Sequence, residues 1–101
     1  MRIAAFDWDE ANREKSLKHG VTWQEAEECF LNRHFVFDSK KGALAERRWL
    51  LLGVTLKERR FAVVFTLRGE KARVISARPM GRKERRVYEE KKRISHEASS
   101  V

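Results

Sequence analysis

The chain is poor in residues that cross-link, break or anchor a protein: it has one cysteine, one proline and one tyrosine in 101 residues. A lone cysteine excludes an intrachain disulfide, and no Cys/His spacing suggests a metal centre. No apolar run approaches the roughly 18–20 residues that a membrane-spanning helix needs. The opening Met1-Arg-Ile-Ala-Ala-Phe-Asp-Trp-Asp9 lacks the apolar stretch and small-residue cleavage site of a signal peptide, so a cytoplasmic location is expected. Cys29 stands in Glu25-Ala-Glu-Glu-Cys29-Phe30, among carboxylates that raise a thiol pKa where a nucleophile needs it lowered, so a small core residue is expected there. No Ser–His–Asp arrangement, glycine-rich phosphate loop or paired-carboxylate motif stands out. His19 precedes the helix-stopping Gly20, where a cation suits the helix dipole; His34 abuts a strand without a carboxylate at a telling spacing; His96 lies near the end.

What the chain has in plenty is positive charge. Lys and Arg number 23 against 15 Asp and Glu, a formal net charge of +8. Residues 1–34 carry five basic and seven acidic side chains, whereas residues 35–101 carry eighteen and eight, so the first third is at −2 and the rest at +10. Such asymmetry favours a polyanion, or an acidic protein, facing the C-terminal two thirds. Hydrophobic residues at 42% and ten aromatics supply a core for one folded unit, expected over residues 1–94 with a polar tail at 95–101.

Two hydrophobic periods divide the chain. Residues 2–6 form a short strand or arm. Asp9 caps a helix running to about His19, with Ala11 and Leu17 on one face and Gly20 as its left-handed stop. Thr22-Trp-Gln-Glu25 reads as a capping box, Val21 and Ala26 as its hydrophobic staple, and residues 23–31 as a helix burying Trp23, Ala26 and Phe30. From residue 35 the period becomes that of strands: 35–37, 48–54, 61–67 and 72–77. The polar segment Asp38–Gly42, the loop 55–60 and the tight turn at Gly69 separate them. Pro79 ends the last strand, and 82–94 is a basic helix with Val87, Lys91 and Ile94 on one stripe. The expected fold is α+β: two N-terminal helices, a four-stranded, mainly antiparallel sheet with the helices on one face, and a basic C-terminal helix.

The chemistry then falls to arginines at strand ends. Strict alternation puts Ala72, Val74, Ser76 and Arg78 on one face and Arg73, Ile75 and Ala77 on the other. Arg68 ends the preceding strand, Arg48 opens another, Arg82 begins the last helix, and Tyr88 follows it. Guanidinium forks bind phosphate oxygens bidentately and stay charged at any working pH. A phenol among cations can stack on a base or move a proton. The same residues equally suit a solvated basic helix whose tyrosine packs on the sheet.

Several stretches in order resemble the BrnT family of bacterial toxins: Phe6-Asp-Trp-Asp9, Lys18-His-Gly-Val-Thr-Trp-Gln-Glu-Ala26, Glu46-Arg-Arg-Trp49, Phe65-Thr-Leu-Arg-Gly-Glu70, Arg73-Val-Ile-Ser-Ala-Arg78 and Arg82-Lys-Glu-Arg-Arg-Val-Tyr88. The likeness covers residues 5 to about 92. It implies a RelE-like fold, a ribonuclease toxin that cleaves RNA and suppresses translation, and a cognate ribbon-helix-helix antitoxin (BrnA-like) that neutralises it. Direct DNA binding is expected only through the antitoxin complex, and neither a cofactor nor a membrane is expected. Arg48, Arg68 and Arg78 lie within the family's motifs, and the arginine and tyrosine of the wider RelE-like group fall by position on Arg82 and Tyr88. Relatives often carry a histidine in the loop before the Glu-x-Arg-aromatic motif, where residues 38–45 here have none, and Pro79 follows Ser-Ala-Arg in place of an acidic or small polar residue.

On this basis Arg48, Arg68 and Arg78 are expected at the scissile phosphate, with Tyr88 stacking on a base or assisting proton transfer and Glu46 as base or orienter of Arg48. Arg82, Lys83, Arg85, Arg86 and Lys57 are the expected RNA contacts, and cleavage is expected to need no metal. A non-catalytic basic module that binds nucleic acid or a partner protein is the alternative.

Overall fold

Alternation along the strands gives this chain two separate cores, one on each face of a single sheet. The computed structural model describes residues 3–39 and 46–99, with side chains through residue 95. Its elements in order are β1 (Ala5–Phe6), α1 (Glu10–Leu17), α2 (Trp23–Leu31), β2 (His34–Ser39), β3 (Arg48–Val54), β4 (Arg60–Arg68), β5 (Lys71–Pro79) and α3 (Arg82–Ser99). The sheet has five strands in the order β1-β5-β4-β3-β2. β2 to β5 form the expected antiparallel meander. The fifth strand is the N-terminal arm, which pairs parallel with β5 and corrects the four-stranded expectation. Ala4 N donates to Glu70 O and Asp7 N to Ala72 O, satisfying an edge that would otherwise be bare. Residues 40–45, which hold most of the loop that departs from the family pattern, and residues 100–101 of the tail lie outside the described residues.

The odd residues of β3 and β4 pack with α2. Leu51, Phe61, Val63 and Phe65 are buried with Val21, Ala26 and Cys29, and Phe30 meets Phe6 and Phe65 edge-on at 5.0 Å each. Gly53 lets α2 approach closely: a Cβ there would lie 3.0 Å from Cys29 O and 3.1 Å from His34 Cβ. As expected, Cys29 is fully buried, and its thiol is pushed up to about 12, first by desolvation and then by Glu28 and Glu25. The even residues Leu50, Leu52, Val54 and Ala62 pack instead with Met80, Val87 and Tyr88, together with Phe35 and Phe37 of β2. α3 therefore covers the opposite face from α2, not the same face. It also runs past residue 94 to Ser99, longer than its apolar stripe.

α1 differs from its amphipathic reading. Leu17 is 60% exposed, while Asn12 and Ser16 are buried. The cause is what the helix packs on: β1 pairs with only two residues of β5, and beyond them the β5 edge needs donors. Asn12 Nδ2 supplies one to Val74 O at 3.0 Å. The helix starts in a capping box, with Asp9 accepting from Asn12 N and Asn12 accepting from Asp9 N. The second capping box, Thr22 with Glu25, forms as expected.

One irregularity matters for the site. The β4–β5 register pairs Val64 with Ser76 but Phe65 with Val74, leaving Ile75 as an extra residue. This β-bulge restarts the alternation, so Ala72, Val74 and Ala77 all enter the α2-side core. Arg73 and Arg78, expected on opposite faces, thus share the α3 side of the sheet.

Candidate functional site

Arg48 of β3 pairs directly with Thr66 of β4, and Thr66 with Arg73 of β5. The three side chains form a row across the sheet face. With neighbouring strands about 4.8 Å apart, the arginine stems stand about 10 Å from each other. Two residues outward, Glu46 and Arg68 continue the same face. α3 does not cover this end of the sheet, and α1 walls it on the β5 side. The result is a recess of about 270 Å³ lined by Glu46, Arg48, Arg68 and Arg73 from the sheet side and by Ala11, Asn12 and Lys15 from α1.

Glu46 is the one carboxylate lining the recess among the described residues, against four cations. Its oxygens lie 3.3 Å from Arg48 Nη2 and 3.8 Å from Arg68 Nη2, so a single carboxylate already sits between the two guanidiniums. Arg48 is only 28% exposed, and its Nε is buried without a hydrogen-bond partner among the described residues. A buried donor left unsatisfied costs free energy, and the Arg48 donors that face the recess are those of its outer guanidinium nitrogens. Beneath the row, buried Thr66 donates through Oγ1 to Arg47 O at 2.7 Å, fixing where β3 begins.

Arg73 is held differently. Its Nη2 lies 2.6 Å from Asp9 and its Nη1 3.6 Å from Asp7. The hydrogen bond it donates to Asp9 is the main reason its pKa is raised. Asp9 is lowered, first by the Asn12 backbone amide that it caps and then by Arg73.

The other expected site residues stand elsewhere. Arg78 pairs with Ala62, four residues along β4 from Thr66, hence about 13 Å down the strand from the row. Its guanidinium is bidentate to Glu84, at 2.6 and 2.8 Å, and Glu84 also accepts from Gly81 N. This clamp joins the end of β5 to the first turn of α3. It raises the Arg78 pKa and holds the Glu84 carboxyl below the usual range. Tyr88 is 2% exposed within the α3-side core, its ring 5.5 Å from Phe35, and desolvation pushes the phenol up. It is not in the recess.

Arg82, Lys83, Arg85 and Arg86 are exposed on α3, and Lys57 is exposed on the β3–β4 turn. Arg85 lines a second recess of about 370 Å³ with Arg59 and Arg60, which are paired to Glu25 and Glu89. The structure therefore brings together Arg48, Arg68 and Glu46 from the expected catalytic set and leaves Arg78, Tyr88 and the five expected RNA contacts outside the recess. Arg73 and Lys15 also line the recess and were not among the expected site residues. Nothing in the hydrophobic pattern signals the bulge that turns Arg73 to this face, although the capping signal at Asp9 did locate the helix bearing Lys15.

No three His, Cys, Asp or Glu side chains converge as a metal site among the described residues. No helix among them is long and apolar enough to cross a membrane. Residues 8–84 match the family model described as ribonuclease toxin, BrnT, of type II toxin-antitoxin system. No curated protein matches the chain significantly.

Proposed function

The chain belongs to the BrnT family of type II toxin–antitoxin ribonuclease toxins, and from that premise we propose that the Arg48–Arg68–Glu46 recess cleaves RNA. Family membership also implies a cognate antitoxin. A RelE-like fold, a ribbon-helix-helix antitoxin, translation inhibition and action in the cytoplasm are the finer parts of the proposal. The observation that carries it is the pair of guanidiniums, Arg48 and Arg68, that share the single carboxylate of Glu46 in a recess open to solvent and walled on one side.

The chemistry needs no cofactor. The 2′-hydroxyl of a ribose attacks the adjacent phosphorus, the bond to the 5′-oxygen breaks with that oxygen taking a proton from water, and a 2′,3′-cyclic phosphate remains on one product and a 5′-hydroxyl on the other. Charge builds on the non-bridging oxygens as phosphorus becomes five-coordinate. Arg48 and Arg68 meet that charge with donors already in place, which in comparable sites lowers the barrier by about 2.7–4 kcal/mol per donor. Glu46 aligns the two guanidiniums in the free protein and, once phosphate takes its place between them, accepts the 2′-hydroxyl proton. Arg78 is occupied by Glu84, and Tyr88 supports α3 rather than the reaction. The cations of α3 and Lys57 contribute the long-range attraction that steers RNA to the protein.

The test has two arms. Expression is expected to arrest growth, with relief when the adjacent reading frame is co-expressed. Purified protein is expected to cleave RNA to cyclic-phosphate ends in the presence of a chelator. Tight RNA binding without cleavage would instead support a non-catalytic binder.

A further inference from the structure

Lys15 has no role in the mechanism above. It reaches the recess from α1, is exposed, and has no hydrogen-bond or ion-pair partner among the described residues. Its direction is set by the fold. Asn12 and Lys15 fall on one helix face by their three-residue spacing, and both line the recess. That face is fastened to the sheet at two points. Asn12 Nδ2 bonds Val74 O and Asp7 O at 3.0 Å each. Asp9 caps the helix with one oxygen and holds Arg73 at 2.6 Å with the other. Arg73 is thereby largely charge-compensated, whereas Lys15 offers an uncommitted ammonium.

We propose that Lys15 binds a backbone phosphate of the RNA strand next to the scissile one, and that the Asp9–Arg73 pair is the positioning device that holds α1 for this contact. This inference rests on the RNA reading of the recess and extends it to a second phosphate subsite. An RNA strand is a chain of evenly repeated anions, so a site that grips two successive phosphates sets both the register of the strand and the orientation of the scissile linkage.

The probe is a single-stranded RNA oligonucleotide with 2′-O-methyl groups, which binds but has no attacking hydroxyl. Lys15→Ala is expected to weaken binding about fivefold at moderate salt and to flatten the slope of log affinity against log salt by about 0.7, the share of one single-strand phosphate contact. The thermal midpoint stays unchanged, and Lys15→Arg restores both values. Lys92→Ala, exposed on α3 outside the recess, removes the same charge and provides the reference. Equal effects of Lys15→Ala and Lys92→Ala overturn the subsite. If Arg48→Ala then still weakens binding strongly, only the subsite has failed; if Arg48→Ala also matches Lys92→Ala, the RNA reading of the recess fails as well. Asp9→Asn keeps a capping side chain and removes the ion pair. It is expected to weaken binding only while Lys15 is present, so that the double variant behaves like Lys15→Ala. Additive losses overturn the positioning role.

Discussion

Arg73 and Arg78 leave the same strand on the same face, and the two ends of β5 use them differently. At the α3 end, Arg78 is closed in a bidentate pair with Glu84, and the neighbouring cations stand on the convex surface of a helix. At the α1 end, Arg73 anchors a wall, while Arg48 and Arg68 share a single carboxylate inside a recess. Both ends are rich in guanidinium. They differ in setting: at one end Arg78 is matched by its own carboxylate beside a convex helix surface, and at the other two guanidiniums share one carboxylate inside a recess. A count of arginines therefore says little about where a polyanion is processed. Guanidiniums that outnumber the carboxylates in a concave setting say more.

That contrast is breakable by experiment, and the largest effects are expected at the recess. Arg48→Ala and Arg68→Ala should each lower kcat/KM for RNA by about 100- to 1,000-fold, with the fold intact by circular dichroism. Next, Tyr88→Ala should destabilise the protein by about 3–5 kcal/mol in denaturant titration, as expected for removing a buried aromatic ring. Tyr88→Phe should keep cleavage within about threefold of wild type, because the phenol does not reach the recess; a 100-fold loss would return Tyr88 to the chemistry.

A smaller effect is expected from the Arg78–Glu84 clamp, and its sign follows from the carboxyl. Glu84 is held below its ordinary value of 4.5, first by the hydrogen bonds from Arg78. Unfolding releases it to that ordinary value, so the clamp's contribution is complete above it and is lost as pH falls through the lower folded value. Glu84→Gln should therefore be less stable than wild type near neutrality, with the gap narrowing in thermal melts as pH falls below the ordinary value of 4.5. A gap that stays constant over this range would mean the pair adds nothing that depends on ionisation. The smallest effects are expected on the convex surface. Lys57→Ala and Arg86→Ala should change RNA affinity by about twofold and should do so equally for every sequence tested, since exposed cations act through net charge.

Much of this fold was legible in the sequence. Thr22 with Glu25, Asp9 before α1, Gly20 and Gly69 at positive φ, and the full extent of β3 all follow from local chemistry that the tertiary structure leaves in place. β1 was harder because two residues carry almost no periodicity; its pairing depends on the β5 edge, which exists only once the sheet has formed. Three of the expected site residues meet in the recess. Arg48, Arg68 and Glu46 follow from strand ends and the family likeness. Arg73 was assigned to the wrong face because a single-residue bulge at Ile75 inverts alternation without leaving a mark on composition. Tyr88 was expected near the reaction because it stands among cations in sequence; helical spacing turns those cations outward and places the ring in the α3-side core.

The most direct test of the account compares kcat/KM for one RNA substrate in Arg48→Ala and Arg78→Ala, each confirmed to be folded. The expected result is a loss of about 100-fold or more for Arg48→Ala and no more than a few-fold for Arg78→Ala. An equal or greater loss in Arg78→Ala would move the reaction to the α3 end of the sheet and contradict the assignment of the recess.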